Sequence, residues 1–97
     1  MTALQSTYVS LAETNAKNGD LAAIELLARR FFEGRGTVQC FQKSYYWSSI
    51  GLSNGVSSLT SLNLFAVKKL SKEEKACVDK DLRETFEAEL AAELAEQ

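Results

Sequence analysis

Residues 19–55, GDLAAIELLARRFFEGRGTVQCFQKSYYWSSIGLSNG, decide the fold of this chain. Ala23, Ile24, Leu27, Ala28 and Phe31 recur at helical spacing, one apolar stripe of an amphipathic helix spanning Leu21 to Glu33. Asp20 stands where an N-cap is needed, and Gly34-Arg35-Gly36 ends the helix. A second helix runs from about Gln42 to Ser53 with Tyr46, Trp47 and Ile50 as its apolar residues, and Asn54-Gly55 supplies a left-handed C-cap. Two helices joined through a glycine corner make an antiparallel pair.

Outward from that pair, the dipeptide of Asn54-Gly55 is already present at Asn18-Gly19, 36 residues earlier, which is the period of a helix-pair repeat. Upstream, a helix is expected from about Ala3 to Lys17, with Leu4, Tyr8, Leu11 and Ala12 on one face. Downstream, Val56 to Leu70 carries Leu59, Leu62, Leu64, Phe65 and Val67 on most sides, so it is expected to be the most buried element; its serine-rich first turn gives the weakest helix signal. Ser71-Lys72-Glu73-Glu74 is a capping box that opens a last helix, in which Val78, Leu82, Phe86, Leu90 and Leu94 recur every four residues. With no proline in the chain to interrupt these patterns, the fold class is all-α, with about five helices. One domain covers residues 1–97, with its clear repeat at 20–55 and capping helices at 3–18 and 56–95.

Composition narrows the function classes. The 97 residues are 45% hydrophobic and 25% charged with a net charge of -2, which is a globular balance rather than a disordered one. Absence of histidine removes the commonest general base and transition-metal ligand. The two cysteines, Cys40 and Cys77, are too few and too far apart in sequence for a zinc set, and are expected as reduced, buried thiols; a single bridge between them stays open. The N-terminus has no basic and apolar leader, and no run of apolar residues is long enough to span a bilayer, so a cytoplasmic protein without membrane association is expected. Gly34-Arg35-Gly36 lacks the lysine and hydroxyl residue of a phosphate loop. The carboxylates from Glu73 to Glu96 ride on one regular helix and are read as a solvated face rather than an acid/base pair. Without a histidine, Cys40 would depend on Lys43 alone for activation as a nucleophile. No enzyme, cofactor or metal site is therefore expected. Arg29, Arg30, Arg35 and Lys43 are a thin footprint for nucleic acid. Charge is polar along the chain: residues 1–71 hold seven basic and four acidic side chains, residues 72–97 four basic and nine acidic, so the last helix suits a basic protein partner as well as plain solubility.

The pair at 20–55 resembles the Sel-one-like repeat, a relative of the tetratricopeptide repeat. The matching residues are Ala23, Leu27 with Ala28, Phe31, the corner Gly34 and Gly36, and then Lys43, Trp47 and Gly55. Three positions depart from that pattern: Ser44 stands for alanine, Gly51-Leu52 for two alanines, and Cys40 for a common aspartate. The flanks resemble degenerate repeats, with Tyr8 to Gly19 as the second helix of one and Val56 to Leu82 as a terminal pair. The resemblance implies scaffold roles for the matching residues, because small side chains allow close helix approach and the aromatics fill the gap between helices.

It also implies antiparallel helix pairs stacked as a short right-handed α/α solenoid, a protein-binding module whose inner surface comes from the first helix of each pair. Glu25, Arg29, Phe32, Glu33 and Arg35 are the exposed positions expected there. Phe32 either anchors a partner or packs under a neighbouring helix. Members of this family act as adaptors in signalling or secretion. A single small acidic domain with one usable interface leads instead to the expectation of a bacterial immunity protein that plugs a toxin domain one to one. A small homo-oligomeric structural protein is the third reading, since the Leu82, Phe86, Leu90, Leu94 stripe exceeds what one small core needs, and a homodimer would use it.

Overall fold

A computed structural model describes residues 7–96. Among them are five α-helices, α1 (Thr7–Lys17), α2 (Leu21–Glu33), α3 (Phe41–Ser53), α4 (Thr60–Lys68) and α5 (Lys72–Ala95), with a single 3-10 turn at Ser57–Leu59 and no strand. The fold is all-α, with α1 packing on α2, α2 on α3 and α3 on α4, and α3 as the hub on which α2, α4 and α5 all rest. Expected residues 3–6 of the first helix, including Leu4, lie outside the described residues.

Local chemistry explains the helix ends. Gly19 closes α1 with φ 91°, donating its N–H to the Ala16 carbonyl at 3.0 Å. The Asp20 side chain then accepts from the Ala23 amide at 3.1 Å and opens α2. Gly34 ends α2 with φ 72°, its N–H bonded to the Arg30 carbonyl at 2.8 Å, and Gly36 (φ 76°) completes the corner. Gly55 is left-handed as well, φ 89°. At Ser71 both arms of the capping box are made: Glu74 N–H to Ser71 Oγ at 3.1 Å, and Ser71 N–H to Glu74 Oε1 at 2.8 Å.

The α2 stripe is buried as its spacing requires: Ala23, Ile24, Leu27, Ala28 and Phe31 all lie in the core, joined from α3 by Tyr45, Trp47 and Ile50. Ser44 and Ser48 are the buried polar residues among them, and both are satisfied. Ser44 Oγ donates to the Ala28 carbonyl at 2.8 Å, stitching α3 to α2, and Ser48 Oγ donates to the Tyr45 carbonyl at 3.2 Å.

Elsewhere the structure corrects the sequence reading. On α1 the buried residues are Val9, Ala12 and Ala16, while Tyr8 and Leu11 are exposed at 60% and 58%. Small residues face α2 because they permit close approach, and Tyr8 lies flat under the Arg30 guanidinium, 5.5 Å from its ring centre. The α4 segment is not the most buried element: Leu59 and Ala66 are enclosed, but Leu64 and Phe65 are exposed at 55% and 56%. It covers α3 on one side, pinned by Asn63 Nδ2 donating to Ser48 Oγ and Ser49 Oγ, each at 2.9 Å, and makes a smaller contact with α2. The expected terminal pair is also open, since α5 packs along α3 and meets α4 at most marginally. Cys40 is half-buried and Cys77 exposed, both as free thiols, so neither is a core cysteine.

Candidate binding groove

Two consecutive tyrosines of α3 hold α5 in place. The Tyr45 hydroxyl donates to Asp79 Oδ1 at 2.6 Å, and the Tyr46 hydroxyl shares a hydrogen bond of 2.9 Å with Thr85 Oγ1. Lys75 Nζ donates to Asp79 Oδ2 at 2.7 Å, completing a three-residue tie. Hydrogen bonds from Lys75 and then Tyr45 hold the Asp79 carboxyl below its ordinary range. Burial, followed by the bond to Asp79, pushes the Tyr45 phenol up, and the bond to Asp79 raises the Lys75 ammonium.

Because α1 is docked on α2 and α5 on α3, the face of α3 between α1 and α5 stays open as a groove of about 690 Å³. Its floor is Cys40 at the N-cap of α3 with Tyr46 and Trp47 of α3, and Val78 of α5 lies beside them. Tyr46 and Trp47 stand edge to face at 5.1 Å and 84°. Carboxylates occupy the two walls: Glu13 on α1, Asp81 and Glu84 on α5. Lys43 also lines it, with Nζ 5.0 Å from the centre of the Phe31 ring. Beyond the Tyr46–Thr85 bond a smaller depression of about 220 Å³ continues over Trp47, Ile50 and Asn54, with Lys17 and Glu89 at its edges.

The residues expected to present a partner surface are placed elsewhere. Arg29 donates to Glu25 Oε2 at 3.1 Å, and Ser58 donates to the same oxygen at 3.0 Å, so Glu25 ties α2 to the 3-10 turn that precedes α4. Those bonds, Arg29 first, lower the Glu25 carboxyl. Phe32 is half-buried with its ring edge-on to Phe41 at 5.4 Å and 73°, a contact across the glycine corner. Arg35 lies 3.8 Å from Glu33. None of the five lines the groove. Of the residues that carry the resemblance, Ala23, Leu27, Ala28 and Phe31 are buried in α2, Trp47 is largely buried in the groove floor, and Lys43 caps the Phe31 ring.

The groove was not legible in sequence because its lining comes from three helices that are distant in the chain, α1, α3 and α5, and belongs to the second helix of each pair rather than the first. A usable signal did exist: Asp81, Glu84 and Thr85 stand at i, i+3 and i+4, a polar stripe set apart from the Val78–Leu82 apolar one. Among the described residues no group of three or more cysteines and carboxylates is gathered to hold a metal ion, and no helix is long and apolar enough to cross a membrane. Comparison with protein-family models, curated proteins and solved structures gives no match for this chain.

Proposed function

We propose that this chain is a non-catalytic protein-binding module of the Sel-one-like repeat type, and that it acts in the cytoplasm by covering a basic toxin domain one to one. The observation that supports this reading best is the groove itself. An aromatic and aliphatic floor walled by Glu13, Asp81 and Glu84 offers burial in its centre and negative charge at its rim, the pattern of a protein interface. Toxic enzymes that act on nucleic acids carry basic surfaces to meet phosphate, so an acidic wall both steers the encounter and occupies the phosphate seat. One groove serves one client.

Co-purification with the product of the neighbouring gene, combined with an assay of that product's toxic activity, tests the reading. Co-elution with loss of toxicity is expected. Full toxicity at saturating protein overturns inhibition, and co-elution without inhibition favours an adaptor.

A further inference from the structure

Resting on the protein-binding reading, we infer that the segment the groove accepts is a cationic amphipathic α-helix of the partner. Three observations lead there. First, the chain has no strand among its described residues and so offers no sheet edge to an extended peptide, whereas a channel between helices takes an amphipathic helix along its length. Second, the main groove and its continuation share Tyr46, Trp47 and Thr85, and together they follow α3 from Cys40 to Asn54. Along a helix the rise from residue 40 to residue 54 is about 21 Å, the length of about four turns. Third, the trough carries Glu13, Asp81, Glu84 and Glu89 against Lys17 and Lys43, and Lys43 is turned onto the Phe31 ring. Charge at the rim therefore favours lysine or arginine on the flanks of the incoming helix, with its apolar stripe against Trp47.

A pairing of α5 with a second copy is disfavoured by the same charges. From Arg83 to Glu96 the helix holds one cation and five carboxylates, so two such helices side by side repel.

Trp47 is the only tryptophan in the chain and lies beneath this trough, so its fluorescence reports occupancy directly. The probes are two synthetic helical peptides with the same leucine stripe, one carrying lysines and the other glutamates on the polar face, titrated into the intact protein. The lysine peptide is expected to shift Trp47 emission saturably, with affinity that falls as salt rises, and the glutamate peptide to have no effect. Reversing two exposed wall charges, Asp81→Lys with Glu84→Lys, is expected to weaken the lysine peptide about tenfold while circular dichroism stays unchanged. Equal binding of both peptides, or an unchanged affinity in the reversed variant, overturns the inference. If the client of the neighbouring gene co-elutes but the lysine peptide leaves Trp47 unmoved, the cationic helix is wrong and the protein-binding reading stands. If the lysine peptide binds as expected and no client is held, the groove chemistry stands and the inhibitor reading falls.

Discussion

At the scale of single residues, packing accounts for Gly51 and Ser44, two of the three positions that depart from the pattern the chain resembles. Leu59 occupies the space beside Gly51: a Cβ at residue 51 would sit 2.5 Å from Leu59 Cδ1 and 3.4 Å from Ile24 Cγ2. Leu59 is fully enclosed and cannot swing aside, so Gly51→Ala is expected to cost about 1–3 kcal/mol in urea denaturation despite alanine's better helix propensity. Ser44 replaces alanine to bond the Ala28 carbonyl. Cys40 occupies the N-cap of α3 without making a side-chain cap bond. Cys40→Asp would supply that acceptor beside the positive end of the helix dipole, and is expected to raise stability by about 1 kcal/mol, read as a higher urea midpoint at an unchanged slope. Phe32 shows the limit of reading residues singly: two adjacent aromatics on α2 have the same sequence signature, and only the arrival of Phe41 across the corner determines that the second one is packed.

At the scale of elements, α5 is a helix of two halves. Its first half is tied to α3 through Tyr45, Lys75 and Asp79, and buries Val78 and Leu82. The Asp79 carboxyl is depressed in the folded protein relative to the unfolded chain. Its contribution is therefore complete above the ordinary carboxylate range and is lost as pH falls through the lower folded value. Urea midpoints should decline on acidification below the ordinary carboxylate range, and Asp79→Asn should lower the neutral-pH midpoint and flatten that decline. An unchanged acid slope in the variant would remove the tie from the account. The second half, from Glu87 onward, is exposed throughout, and its last turn carries Glu93 and Glu96 with no basic residue. Carboxylates beside the negative end of the helix dipole favour fraying, so amide hydrogen exchange is expected to be fast from Glu89 to Glu96 and slow from Val78 to Thr85.

At the scale of the whole molecule, a Cα radius of gyration of 13.7 Å and principal extents of 46 × 31 × 27 Å describe a body elongated relative to the ~13 Å typical of a compact chain of this length. The long α5, about 36 Å end to end, is responsible for part of that shape. Its outer face carries a depression of about 400 Å³ around Leu82, Phe86 and Leu90, and α4 adds exposed Leu64 and Phe65. A solenoid end is normally sealed by polar residues. Acidic α5 halves oppose self-pairing through that apolar face, so sedimentation is expected to find a monomer at low ionic strength and rising association as salt screens the repulsion. A stable dimer at low salt would contradict the charge argument. The sequence by itself determined what is local: helix boundaries at Asp20, Gly34 and Ser71, the left-handed turns, the α2 core stripe and the all-α class, because capping bonds and apolar period act within a few residues along the chain. Only tertiary packing decided that Tyr8 and Leu11 face outward, that α4 is half uncovered, and that α1, α3 and α5 enclose a groove. An apolar side chain has no inside until a neighbouring helix arrives to cover it, and which helix arrives depends on contacts tens of residues apart.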